Sequence, residues 1–212
     1  MKKLFFLIPM LFLTSCIALE QEIKRDFKDN IFYASNPNMA VEIANTFQQV
    51  SQNKKNAFSM YSNSDGGSNI ETEKFKFRDN AKKTDFIITI RKTKGGYWKP
   101  DLNAGLRNHL EAGKIEKSGR QYYYAIYADK DYNNKYYLIK RFARISGATD
   151  RTLILYHYVH EIDSNAGDFF SWLDPFRLNQ GQKDILSKFK NDSEKDIQFI
   201  EYRIPEKKSF NT

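Results

Sequence analysis

The residues best suited to metal or acid–base chemistry stand in one run, His157-Tyr-Val-His160-Glu161, in a chain with three histidines. A helical zinc motif sets its histidines four apart so that both share one face. Here the spacing is three and the surrounding residues read as a strand. His157 and His160 then point to opposite faces, and His157 with Glu161 alone falls short of the three or four ligands that zinc takes. No metal is expected. The glycine-bearing stretch Ser62-Asn-Ser-Asp-Gly-Gly-Ser-Asn69 lacks both the Lys-Ser/Thr of a phosphate-cradling loop and the third glycine of a dinucleotide turn, so it reads as a flexible turn. With Cys16 the only cysteine and no Gly-x-Ser-x-Gly elbow, no nucleophile can be paired with a base. A non-catalytic chain without cofactors is the favoured reading. The alternative is a tethered hydrolase of envelope material working through two of its 26 Asp and Glu residues.

Two stretches offer binding chemistry instead. The loop Lys92-Thr-Lys-Gly-Gly-Tyr-Trp-Lys-Pro100 combines Lys92, Lys94 and Lys99 with the flat amphipathic rings of Tyr97 and Trp98, a pattern suited to sugars or headgroups. These five residues are the candidate binding surface; a Trp98 folded onto the core would remove it. The second stretch is the Tyr-rich face of the strands in the second half of the chain, which could form a partly wet surface.

Cellular address is written in the first sixteen residues. Lys2 and Lys3 precede an uncharged apolar run, Leu4 to Leu13, and then the small residues Thr14 and Ser15, which is the layout of a secretory signal. The run is about half the ~20 residues needed to span a bilayer and contains Pro9, so a permanent transmembrane helix is a poor reading. Leu13-Thr14-Ser15-Cys16 resembles the bacterial lipobox. The resemblance implies cleavage before Cys16, a diacylglycerol thioether on its sulfur, and acylation of the new amino group. Two or three acyl chains, at about 0.8 kcal/mol per buried methylene, hold a protein firmly to one leaflet. A lone thiol at the processing site, in a chain with none left for disulfides, fits that use. Ile17 in place of Asp after the cysteine favours the outer over the inner membrane of a double-membrane bacterium.

The chain carries a formal charge of +8, two units of it from Lys2 and Lys3 of the leader. Outside the cytoplasm such a charge points to anionic lipid, envelope polymer or an acidic protein rather than nucleic acid. Aromatic residues make up 15%, too many for a disordered chain. The function expected is that of a membrane-anchored envelope lipoprotein acting as a binding or assembly accessory, with a surface-exposed host-interaction lipoprotein as a further alternative.

The elements that must position these residues follow from periodicity. Residues 1–15 are a signal to be removed, and 16–35 a lipidated Cys and tether. One domain follows over 36–205, and 206–212 form a mobile tail. Within the domain, Asn36-Pro37 followed by Ile43, Phe47 and Val50 predicts a helix over 37–52, and Asp101 with Leu102, Leu106 and Leu110 a short helix ended by Gly113. Phe75 and Phe77 alternate with Lys74, Lys76 and Arg78, and Phe86, Ile88 and Ile90 repeat the pattern, predicting two half-buried strands. Residues 121–128, 134–145 and 151–162, separated by short polar links, predict an antiparallel meander whose third strand is central. Residues 169–173 and 180–190 predict helical segments, and 196–204 a last strand. Together these give an α+β fold: a single domain with one curved, mainly antiparallel sheet of about six strands and helices packed against it.

Overall fold

The computed structural model describes residues 25–60, 67–96, 98, 101–103, 106, 108–146, 151–163 and 165–202. The leader, Cys16, Tyr97, Lys99 and the expected C-terminal tail lie outside them. The strands are β1 (Arg25–Lys28), β2 (Ile31–Ser35), β3 (Asn38–Ile43), β4 (Gln48–Met60), β5 (Gly67–Asp79), β6 (Thr84–Thr93), β7 (His109–Lys117), β8 (Arg120–Lys130), β9 (Tyr136–Ser146), β10 (Thr152–Ile162) and β11 (Ile197–Ile200). Helix α1 (Gln180–Asp196) is the single α-helix among the described residues, preceded by 3-10 turns at Phe169–Leu173 and Pro175–Arg177.

These strands form two antiparallel sheets, a small one in the order β1-β2-β3-β11 and a large one in the order β4-β5-β6-β10-β9-β8-β7. The fold is thus a β-rich sandwich with one helix, and the expectation of an α+β fold with several helices on a six-stranded sheet is corrected. Cross-strand partners share a face, and the registers show how the sequence builds the core. In the small sheet Phe27, Phe32, Val41 and Phe199 are partners in one row. In the large sheet Phe75, Ile88, Tyr156 and Phe142 make another. The two rows meet as rings, Phe32 on Phe75 at 4.7 Å and Phe199 on Tyr156 at 4.8 Å between centroids.

Two of the expected helices are strands. Residues 37–52 form β3 and the start of β4, because Met39, Val41 and Ile43, all buried, have period 2, whereas Val50, which completed the helical stripe, is 49% exposed on an edge strand. The same apolar residues satisfy both periods over so short a span, and packing of β3 between β2 and β11 decides. The short helix proposed for 101–110 is replaced by a connection and the start of β7, in which Leu110 is buried. Residues 25–35, assigned to the tether, form β1 and β2, whose Phe27 and Phe32 belong to the core. Gly67 to Asn69, read as part of a turn, open β5. The strands over 74–78 and 85–92 are found as parts of β5 and β6. The meander is found as β8, β9 and β10, with β10 fourth of the seven strands.

Helix α1 begins on a reciprocal cap in which Asn179 and Gln182 each bond the other's backbone. It lays Phe189 on Tyr158, 5.6 Å between rings, beside the small sheet. Its last residue, Asp196, is buried and receives Lys82 Nζ at 2.7 Å and the Tyr158 hydroxyl at 2.7 Å. These bonds tie the helix to the β5–β6 turn and to β10.

Candidate binding site

With the core on one face of the large sheet, the other face is what remains to present side chains outward. Its residues follow from the registers. One row runs Lys76, Ile87, His157, Arg141 and Ala125 across β5, β6, β10, β9 and β8. The next runs Lys74, Thr89, Leu155, Ala143 and Tyr123, and ends on β7 at Lys114. On the opposite side of the first row stand Arg78, Asp85, Val159, Ile139 and Tyr127.

The connection from β6 to β7 must pass over β10, β9 and β8, and it does so on this outer face. Trp98 lies under the Arg91 guanidinium, 5.1 Å from its ring centroid, and donates its indole N–H to the Arg151 carbonyl at 3.0 Å. Farther along, the Leu102 carbonyl and Asn103 Oδ1, the latter at 3.0 Å, accept from Arg141 Nη2, and Asn103 Nδ2 donates to the Tyr124 carbonyl at 3.0 Å. The residues beneath, Ala125 and Ala143, are small and fully buried, which lets the connection lie close to the sheet.

The candidate surface read from the sequence is divided by this geometry. Lys92 and Arg91 are consecutive in a regular strand, so they point to opposite faces. Lys92 stands opposite Glu71 on the face away from Trp98. Trp98 is half-buried on the outer face, Lys94 is exposed with its backbone N–H on the Asn69 carbonyl at 3.1 Å, and Tyr97 and Lys99 lie outside the described residues. Among the described residues, then, Lys92 and Trp98 do not share a surface. The structure instead puts Trp98 on the same face of the sheet as the cations of β5 and the tyrosines of β8. Each set was readable as one face of its own strand, from the Lys-Phe-Lys-Phe-Arg alternation and the Tyr-rich run. Nothing local to either strand says that they fall on the same side of one sheet.

Charge is distributed unevenly between the two faces. Away from the outer face Arg25 meets Glu73, Lys54 meets Glu71 at 2.8 Å, Lys82 meets Asp196, and Lys140 meets Glu194, while the buried Arg144 lies over the Tyr122 ring and donates to the Asn38 carbonyl at 3.3 Å, with no carboxylate partner among the described residues. On the outer face Lys76 and Arg78 share the one carboxylate of Asp85, at 2.9 and 3.4 Å. Lys74, Arg91, Lys114 and Arg141 have no carboxylate partner among the described residues. Arg91 and Lys114 lie over the rings of Trp98 and Tyr123 instead. Arg141 is half-buried, its Nε is enclosed without a hydrogen bond, and burial lowers its pKa.

His157 sits at the centre of this field. Burial, then Arg141 and Lys74, hold its pKa down to about 4. An unfolded chain takes up that proton near 6.5. The folded chain waits until near pH 4, so stability should fall as pH drops through that interval. The loss is ~1.4 kcal/mol per pH unit at its steepest and ~3 kcal/mol in all. His160, shifted down by burial on the opposite face, adds a loss of the same sign. Urea midpoints measured between pH 7 and 4 should therefore decline, and His157→Gln should flatten the decline; identical slopes in both proteins would remove His157 as its source.

The pair read as metal-like is separated as expected. His160 turns to the core side, with Nδ1 2.9 Å from Thr84 Oγ1, and among the described residues no three His, Cys, Asp or Glu side chains converge. The cavities there are shallow clefts near the end of β10, one of about 190 Å³ lined by His160, Phe189 and Asp192, another of about 370 Å³ lined by Lys83, Lys135 and Asp163. No helix among the described residues is long and apolar enough to cross a membrane. Comparison with protein-family models, with curated proteins and with solved structures gives no match in any of the three.

Proposed function

We propose that this chain is a lipid-anchored protein of a bacterial cell envelope that holds an anionic envelope polymer against the outer face of its large sheet, as a binding accessory rather than a catalyst. The observation that carries the reading is a cluster of cations: Lys74, Arg91, Lys114 and Arg141 stand on the outer face of the large sheet without a carboxylate partner among the described residues. They are interleaved with Trp98, Tyr123 and Tyr127. The cations span six strands, roughly 25 Å at the usual strand spacing, so an extended partner lying alongside the crossing connection can meet several of them at once. Sugar rings suit the aromatic positions, and acidic groups along a chain suit the cations.

The anchor supports the same reading. The lipobox-like Leu13-Thr14-Ser15-Cys16 implies acylation of Cys16, and Ile17 favours the outer membrane. Only residues 17–24 separate Cys16 from β1, a length that reaches at most about 30 Å when extended. The folded part would stay at the bilayer surface, among the polymers anchored there.

Two measurements test the proposal. Alkyne fatty acid fed to cells should label the wild-type chain and not Cys16→Ser, which should accumulate as precursor. Binding to a polyuronate, as a model acidic polysaccharide, should weaken with added salt and fall roughly tenfold or more in Lys74→Gln/Arg91→Gln, since each cation near an anionic surface contributes about 1 kcal/mol. The melting temperature should change little. A wild-type protein that captures acidic proteins but neither polyuronate nor polyphosphate would overturn the polymer reading.

A further inference from the structure

Arg141 and His157 are direct cross-strand partners on β9 and β10, which places their Cβ atoms about 4.5–5.5 Å apart. Lys74 stands on the same face one row along, two strands from His157 and three from Arg141. The guanidinium of Arg141 is oriented from one side, because Nη2 is held by the Leu102 carbonyl and by Asn103 Oδ1 of the crossing connection. Nη1 has no acceptor among the described residues. A half-buried guanidinium is ordinarily matched by a carboxylate, because desolvation of an unmatched charge is costly.

The groups that could supply the missing charge are engaged elsewhere. Asp85 is held by Lys76 and Arg78, Glu161 lies 3.4 Å from Lys135, and Asp101 of the crossing connection accepts from the Asn103 N–H at 3.0 Å. Asp129, on the same side of β8, accepts from the Lys130 N–H at 2.8 Å, and Tyr127 beside it is kept protonated because burial raises its pKa. The centre of the face is therefore short of one negative charge.

We propose that Arg141, His157 and Lys74 form a subsite for a single oxyanion, a carboxylate or phosphate group, beside the connection that crosses the sheet. This rests on the reading of the outer face as a surface for anionic polymers and names where one acidic group of that polymer docks. The planar guanidinium offers Nη1 to one oxygen and Lys74 offers its ammonium to another. His157 becomes a third donor once the anion offsets the burial and the Arg141 and Lys74 charges that together keep it neutral.

The test follows the titration of each imidazole by NMR in the whole protein held in zwitterionic detergent, with His157 assigned through His157→Gln. Inorganic phosphate or acetate at tens of millimolar should raise the His157 midpoint by one pH unit or more, and polyuronate should do so at a much lower concentration of acidic groups. His160, on the opposite face, should not move. Lys74→Gln should reduce the shift at least by half. Arg141→Gln should abolish it, and Lys74→Gln, which leaves the guanidinium and its bonds to the crossing connection in place, keeps the test decisive if Arg141→Gln does not fold. An unmoved His157 with all three anions overturns the subsite. So does a shift equal in wild type and Lys74→Gln, which would be general screening. Polyuronate bound with His157 unmoved removes the subsite and leaves the binding face standing, whereas phosphate moving His157 with no polymer bound supports the subsite and removes the polymer.

Discussion

A chain that begins at Asn36 should fail to fold cooperatively, whereas one that begins at Ile23 should melt in a single sharp transition. The two chains differ by thirteen residues, of which eleven are β1, the turn and β2. Phe32 is buried between the sheets, 4.7 Å from Phe75 and 6.2 Å from Phe77, and Phe27 lies 4.8 Å from Phe77. Truncating a buried phenylalanine costs about 3 to 5 kcal/mol. Losing Phe32, Phe27 and the fully buried Ala34 together would consume most of the 5–15 kcal/mol by which a domain is ordinarily stable. The cut would also leave β3 as a bare edge above Phe75 and Phe77. Circular dichroism and dye binding on the two chains decide the matter. A cooperative melt in the shorter one, at the same temperature, would mean that β1 and β2 only decorate the sandwich.

The second large effect is expected at Asp196. Its buried carboxylate accepts from the Tyr158 hydroxyl at 2.7 Å and from Lys82 at 2.7 and 2.9 Å, and its backbone carbonyl accepts from the Ala44 N–H at 2.8 Å. Asp196→Ala leaves the backbone bond intact but strips the Tyr158 hydroxyl of its acceptor within the core, where burial and this carboxylate already raise its pKa. Lys82, whose side chain is 40% exposed, can turn to solvent, so most of the penalty falls on the hydroxyl. Denaturant unfolding should show a loss of about 2 to 4 kcal/mol. Tyr158→Phe in the same chain should recover part of it, because an absent hydroxyl needs no acceptor. A loss below about 1 kcal/mol, or no recovery in the double variant, would show that the network is solvated.

These two regions also mark where sequence reasoning stopped. Residues 25–35 carry alternating charges that read as a tether, and only two aromatic residues, Phe27 and Phe32, commit them to the fold. Their burial depends on Phe75 and Phe77, more than forty residues away, so no local pattern announces it. At residues 37–52 the apolar positions fit both helical and strand periods. Pairing of β3 with β11, from the far end of the chain, selects the strand.

What the sequence by itself determined is what depends on neighbours along the chain. It marked the secretory and lipobox-like leader as an expectation. It also marked the half-buried strands around Phe75 and Phe86, the meander over β8 to β10 with β10 central, the helix that starts at Gln180, and the placement of His157 and His160 on opposite faces. Period 2, short polar links and the helical spacing of Ile185, Leu186 and Phe189 are local signals, and they hold wherever the element finally packs. The tertiary structure alone decided the split into two sheets, the recruitment of β1 and β2, and the content of the candidate site. The sequence offered Lys92, Lys94, Tyr97, Trp98 and Lys99 as contiguous residues. In the described part of that loop, alternation along β6 sends Lys92 one way while the crossing connection carries Trp98 the other. Lys74, Arg91, Arg141, His157 and Tyr123 come from five separate strands. They meet because β6 pairs with β10 across a long stretch of chain, and strand order in a sheet is set by which apolar faces can be buried together, a condition that no single segment contains.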